Sequence, residues 1–382
     1  MIQKPVENGS ATPVVAEPRT IPSDIVSIPD YERHCQLCLE WSRFEYLASG
    51  AADELTLSRN SRAFASIDIL PRVLRSLGGG STSTRLLGRT LRHPILLGPL
   101  AHQRLFHPDG ELATARAAAA TDTCLVASTL ASVSLESMAQ SGGDNLWFQL
   151  YFQTTRSATL ELVKRAEAAG YAAIMVTVDA PVSGARNRIQ RSGFSLPRDA
   201  RPANLVYPEG AAPMRLGPDD SLIFQGLMPQ APSWDDLHWL ASRIELPIMV
   251  KGVLHPRDAR AAEQAGLDGV VVSNHGGRCL DTLPATIEAL PRIRAAVSPE
   301  FPVLLDGGIR RGTDIFKALA LGANGVLVGR PQAWALTVAG ALGVAHMLRL
   351  LREELELTMA LAGTARIADI TPEAVLHRGG AH

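Results

Sequence analysis

The chain reads as an α/β protein of the (β/α)8 TIM-barrel class, and three observations lead there. First, three apolar runs in the C-terminal third each end in a short polar cluster. Val270-Val271-Val272 opens into Ser273-Asn274-His275-Gly276-Gly277-Arg278, Val303-Leu304-Leu305 into Asp306-Gly307-Gly308-Ile309-Arg310, and Val326-Leu327-Val328 into Gly329-Arg330. Buried parallel strands that end in glycine and charge are how a barrel presents a site. Second, residues 160–170, 258–266 and 314–322 are helix-like stretches, each closed by a C-cap glycine just before an apolar run. Third, eight short apolar runs recur, at 94–98, 124–127, 146–151, 172–178, 247–250, 269–272, 302–305 and 325–328. Eight strand–helix units close a barrel; a doubly wound open sheet is the alternative.

In chain order, residues 1–27 carry Pro5, Pro13, Pro18 and Pro22 without hydrophobic periodicity and read as a flexible arm. Residues 29–50 are helical in pattern, with Tyr31, Cys35, Leu39 and Trp41 to Leu47 on the apolar positions and Ala48-Ser49-Gly50 as the stop. The barrel domain is expected over 28–382, interrupted after the fourth strand by a Pro/Gly-bearing insertion at 191–234. A connection of that length inside a barrel reads as a lid over the site.

Bulk composition narrows the function. A formal net charge of −1 with acids and bases interspersed gives no reason to expect a nucleic acid or anionic membrane partner. No run of about 18 apolar residues predicts a transmembrane helix. Cys35-Gln36-Leu37-Cys38 beside His34 resembles half a zinc site, but no second pair follows, so no metal is expected. Four cysteines without a framework suit a reduced, cytoplasmic setting.

Candidate site residues then recur at one end of successive strands: Pro99-Leu100-Ala101, Ser128, Gln149 and Tyr151, Thr177 and Asp179, Lys251, Ser273 and His275, Asp306, and Gly329-Arg330. A lone histidine or lysine means little; their recurrence at the same end is what a scattered distribution does not produce. His275 is a base able to take a proton near neutral pH if a counter-charge steadies its imidazolium, and Asp179 is the candidate partner. Arg278 and Arg186 suit a carboxylate, which they would clamp beside that base. Gly307, Gly308, Arg310, Gly329 and Arg330 supply backbone N–H groups and cations for a phosphate after strands seven and eight.

These motifs resemble the FMN-dependent 2-hydroxy acid oxidase and dehydrogenase family, which includes glycolate oxidase, lactate oxidase and mandelate dehydrogenase. Ser273 to Arg278 with Leu280-Asp281, and Asp306 to Asp314, carry the resemblance, which runs from about residue 28 to 362. Segments 99–108 and 147–151 look similar to 4-hydroxymandelate oxidase, and Pro181-Val182-Ser183-Gly184 to lactate oxidase. The resemblance implies FMN as cofactor, with Pro99, Leu100, Ala101, Ser128, Gln149, Thr177, Lys251 and Ser273 around the flavin ring. It places Asp306 on the ribityl chain and Gly307, Gly308, Arg310, Gly329 and Arg330 at the phosphate. It makes His275 the base, Asp179 its partner, and Tyr151 the contact to the substrate hydroxyl, while Arg186, Arg278 and Tyr46 hold the carboxylate. A homotetramer, a small 2-hydroxy acid as substrate and O2 as acceptor are further implications. Leu100, Leu130 and Cys279 depart from the threonine, tryptophan and glutamine common in the family. The rival activities are a dehydrogenase using a quinone or protein acceptor, an FMN-dependent isomerase, and a flavin-binding protein without turnover. The isomerase would not need His275 beside two arginines.

Overall fold

The computed structural model describes residues 20–205 and 216–378. It opens with α1 (Ile28–Cys38), α2 (Trp41–Ala48) and α3 (Leu55–Ala65), then β1 (Ile67–Ile69), β2 (Thr84–Leu86) and β3 (Arg89–Leu91). The barrel follows as β4 (Ile95–Leu97), α4 (Glu111–Thr121), β5 (Leu125–Ser128), α5 (Leu135–Gly142), β6 (Leu146–Leu150), α6 (Arg156–Ala168) and β7 (Ile174–Thr177). After α7 (Asn187–Ser192) it continues with α8 (Trp234–Ala241), β8 (Ile248–Val253), α9 (Pro256–Gln264), β9 (Gly269–Val272) and α10 (Thr286–Arg294). Then come β10 (Val303–Asp306), α11 (Gly312–Ala320), β11 (Gly325–Val328), α12 (Arg330–Ala362) and β12 (Val375–His377).

Among the described residues, β4 to β11 close into a parallel barrel in the order β10-β11-β4-β5-β6-β7-β8-β9. Every one of the eight expected apolar runs is one of these strands. Side chains alternate across a strand, so each strand serves two cores. Val270, Val272, Val303 and Leu305 pack outward under the helices. Leu96, Val126, Trp147, Met175, Met249, Val271, Leu304 and Leu327 fill the interior, where Leu86 and Leu91 of the β2–β3 hairpin join them.

That register fixes what the mouth of the barrel contains. Two residues beyond each interior position stand Gly98, Ser128, Gln149, Thr177, Lys251, Ser273, Asp306 and Gly329. One more inward-facing layer after the hydrophobic plug therefore delivers a ring of polar groups and glycines, the origin of the recurrence seen in the sequence.

Two expectations are corrected. The helix expected over 29–50 is two, because Leu39 is extended and Glu40 caps α2 by accepting from the Ser42 N–H. Of the arm expected over 1–27, residues 1–19 lie outside the described residues, while Ile25 and Ser27 are buried and Asp24 pairs with Arg33 and His34. The sheets β1–β12 and β2–β3 went unforeseen, since three-residue strands carry too little pattern to read. α12 is long and apolar enough to cross a membrane by composition, but 61% of that window is buried in the protein, and Ala339 and Gly340 break it. Its apolarity serves packing against α1, α4 and α11. Cys35 is buried on α1 and Cys38 exposed, one turn apart.

Candidate active site

The mouth of the barrel holds a cavity of about 490 Å³. His275 enters it from the loop after β9 with a left-handed backbone (φ 55°) followed by Gly276 at φ 62°. A histidine held there is strained and needs support. Its N–H donates to Ser273 Oγ (3.1 Å), and the preceding Asn274 is locked to Asn60 by reciprocal amide bonds of 2.8 Å. So held, the imidazole sets Nδ1 2.9 Å from Asp179 Oδ1. Burial opposes charge on Asp179, but Lys251 and His275 outweigh it and hold the carboxyl below its ordinary value. Gly252 makes room for this pair: its φ is 110°, and a Cβ there would lie 2.5 Å from that of Asp179.

Lys251, on β8 and buried, places Nζ 3.1 Å from Asp306 Oδ2 and 2.9 Å from Ser273 Oγ. Burial works against its charge, yet Asp306 and Asp179 raise its pKa. Tyr151, just past β6, lines the cavity, and burial pushes its phenol up, so it stays protonated and able to donate.

In the same cavity, three arginines converge on the C-terminal carbonyls of α2. Arg186 Nη2 donates to Tyr46 O (2.9 Å) and Ser49 Oγ (3.0 Å), and Arg278 Nη1 to Tyr46 O (3.0 Å) and Leu47 O (3.1 Å). Arg330 donates to Leu47 O, Gly276 O and Ser49 O. Exposed carbonyls and the negative end of a helix dipole draw cations to that point. The Tyr46 ring carries both Arg186 (5.5 Å) and Arg278 (5.2 Å) on its π-system and stacks on Phe194 at 4.7 Å. Burial and the neighbouring Arg278 charge push Arg186 down to about 9. Such crowded guanidinium groups favour an anion between them.

The residues fit FMN on structural grounds. Buried Gln149 Nε2, Thr177 Oγ1 and Asp306 Oδ1 have no hydrogen-bond partner, although buried polar atoms are nearly always paired. All three belong to cavity-lining residues at the ends of barrel strands β6, β7 and β10, where a flavin's carbonyls, ring N–H and ribityl hydroxyls would satisfy them. Gly307 and Gly308 turn at φ 91° and 88°, and Gly329 caps the start of α12. Arg310 lies on the Trp334 ring at 4.6 Å, giving that end the helix terminus and cation a phosphate requires.

Of the expected site residues, the structure brings Tyr46, Pro99, Leu100, Ala101, Ser128, Gln149, Tyr151, Thr177, Arg186, Lys251 and His275 to this one cavity. Arg278, Asp306, Gly307, Gly308, Arg310, Gly329 and Arg330 line it too. Asp179 stands behind His275, and Ser273, fully buried in the polar ring, supports Lys251 and the His275 backbone. Neither Asp179 nor Ser273 is among the residues that line the cavity itself. Sequence reasoning missed Ser49 and the α2 carbonyls, the Asn60–Asn274 lock, Phe194, and Gln230 to Pro232, which reach the cavity from the insertion. Ala48-Ser49-Gly50 signalled only a helix stop; nothing local says that a stop will collect three arginines.

A model of the FMN-dependent dehydrogenase family matches residues 35–377. The chain is 53% identical to an L-lactate oxidase of Alicycliphilus denitrificans, over 92% of this chain and 96% of that protein. It is 44% identical to glycolate oxidase 3 of Arabidopsis thaliana, over 91% of this chain and 95% of that one. A crystal structure of mandelate oxidase with (S)-2-phenylpropionate superposes with a TM-score of 0.82 at 42% identity, covering 90% of this chain and 96% of that one. With unpaired buried polar atoms at the mouth of a closed barrel, and these matches spanning nearly its whole length, the chain belongs to the FMN-dependent dehydrogenase family and takes FMN as its cofactor.

Proposed function

We propose that the enzyme oxidises an L-2-hydroxy acid, L-lactate foremost, to the 2-oxo acid, with the two electrons passing to O2 to give H2O2. The observation that carries this reading is the His275–Asp179 pair sharing one cavity with two guanidinium groups. When bound, FMN supplies a two-electron acceptor next to the substrate carbon. The chain's own groups do the rest. Arg186 and Arg278 receive the substrate carboxylate, which neutralises their crowding and sets the α-carbon before the base. Tyr151 donates to the substrate oxygen. His275 takes up a proton released as the alcohol becomes a carbonyl, and Asp179 steadies the resulting imidazolium. Buried Lys251 supplies a fixed positive charge at the wall.

The names of the relatives support this choice of substrate and acceptor: three proteins 46–53% identical to this chain are L-lactate oxidases. Leu100, Leu130, Phe152 and Val182 give the cavity an apolar side that suits a methyl or larger apolar substituent. Of the insertion expected over 191–234, residues 206–215 lie outside the described residues; its described end serves as the lid, with Gln230, Ala231 and Pro232 as the cavity-facing part. A cytoplasmic homotetramer completes the proposal, and light scattering on the purified protein measures the assembly.

The test is to mix the holoenzyme anaerobically with L-lactate, glycolate or mandelate, then admit O2. Bleaching of the flavin by an acid, followed by recolouring with one H2O2 per turnover, supports the reading. No bleaching by any of them defeats it. A bleached enzyme stable in air but recoloured by a quinone makes it a dehydrogenase.

A further inference from the structure

Two residues beyond Arg186, on the first turn of α7, Arg188 joins two carboxylates that no part of the proposed chemistry uses. Its Nε and Nη2 meet both oxygens of Glu45 at 2.6 Å, and Nη1 meets both oxygens of Glu54 at 3.0 and 3.2 Å. The Glu45 side chain is only 4% exposed and that of Glu54 23%. Burying two carboxylates beside a binding site is costly unless they are paired.

Their placement gives the pairing a second consequence. Glu45 immediately precedes Tyr46 on α2. Glu54 accepts from the Gly50 N–H at 2.8 Å, while Arg186 donates to Ser49 O at 3.3 Å, so Glu54 and Arg186 hold opposite sides of one peptide unit. The neighbouring Ala52 N–H donates to Ala185 O at 2.7 Å, drawing the Glu54 loop onto the segment that carries Arg186. Despite this closeness, Arg186 Nε is buried and has no hydrogen-bond partner. A carboxylate one peptide away would ordinarily take it, since charge-assisted pairs are the strong ones.

We propose that Arg188 is a positioning residue that occupies Glu45 and Glu54 and so keeps Arg186 open for the carboxylate of the substrate. The inference rests on the reading of Arg186 as a substrate-carboxylate contact. Without Arg188, Glu54 turns to Arg186 and competes with the substrate from inside the protein. Binding of the acid then weakens, while the proton transfer at His275, whose partner is Asp179 and which neither Arg188 nor Glu54 contacts, is left intact. A strut that only braced α2 against α7 would produce a different pattern, because removing the competing carboxylate would not repair it.

The test uses FMN-loaded wild type, Arg188→Met, Glu54→Gln, Arg188→Lys and the double variant Arg188→Met/Glu54→Gln. Anaerobic stopped-flow mixing with L-lactate gives an apparent Kd and a limiting rate of flavin reduction, and oxalate titration followed by flavin absorbance gives an anion Kd that needs no turnover. Arg188→Met is expected to raise both Kd values roughly tenfold, with the limiting rate changed less than about twofold, as for loss of binding alone. Arg188→Lys, which keeps one charge, should fall between, and it serves if the methionine variant does not hold FMN. The double variant should return to within about threefold of wild type, a coupling that a double-mutant cycle isolates. Unchanged Kd values in Arg188→Met, or a double variant no better than the single, would overturn the proposal. If wild type is not reduced by any 2-hydroxy acid, the proposed activity fails, yet the oxalate titrations still decide the role of Arg188.

Discussion

Lys251, buried, and Arg186, partly buried, are cations on the wall of the same cavity, and their surroundings are opposite. Lys251 meets Asp306 at 3.1 Å and Ser273 at 2.9 Å, and its pKa is raised against the pull of burial. Arg186 faces Arg278, meets only neutral oxygens through its Nη2, and is pushed down to about 9 by burial and that neighbour. The first is a charge completed by the protein itself. The second is completed by whatever anion arrives. A site that must hold a permanent cofactor and a transient substrate needs one of each, and changes on the two sides should therefore fail differently.

The largest effect belongs to the base. His275→Gln should keep FMN bound yet slow anaerobic flavin reduction by roughly 10⁴-fold, the upper range for loss of a general base. Full retained reduction would remove the proposed base. Asp179→Asn should cost about 10²-fold in the same measurement with little change in apparent Kd, since it disturbs the tautomer and charge behind His275 and not the clamp. On the arginine side the pattern reverses. Arg278→Lys should raise KM by roughly 10- to 100-fold and lower kcat far less, because a point charge replaces a planar fork. A kcat loss as deep as that of the histidine variant would erase the distinction between the walls.

The pH dependence sharpens the comparison further. Arg186 is charged below its depressed value and neutral above it, so KM should climb as pH rises through about 9. Lys251, raised in pKa, stays charged there, and the flavin spectrum should not change over that interval. Smallest is the apolar side: Leu130→Ala should move the ratio of kcat/KM for mandelate against L-lactate by about tenfold, the scale of a few methylenes in a pocket.

The catalytic side was largely legible in the chain. Each barrel strand alternates in a fixed register, so an apolar run ending in Lys251, Ser273 or Asp306 already says which end faces solvent and which residue follows the plug. His275, Asp179 and Arg278 stand out because their types have few reasons to cluster at strand ends. The arginine side was not legible to the same depth. Arg186 was visible as a candidate, but the carbonyls of Tyr46, Leu47 and Ser49 that anchor it are backbone atoms, carried by every residue alike. Glu45, Glu54 and Arg188 look like any charged surface helix, and Phe194 like any core aromatic.

The order of apolar and polar residues along eight strands was enough to determine the barrel, the mouth, and the polar ring just above the plug, because local periodicity and short connections leave few other ways to bury those runs. Only the tertiary structure decided how α2, more than 130 residues earlier than α7 and 220 earlier than His275, comes to lie across that mouth. Its carbonyls select arginines through contacts that no spacing encodes, and the free energy of such contacts depends on distance and burial, which exist only once the chain has folded.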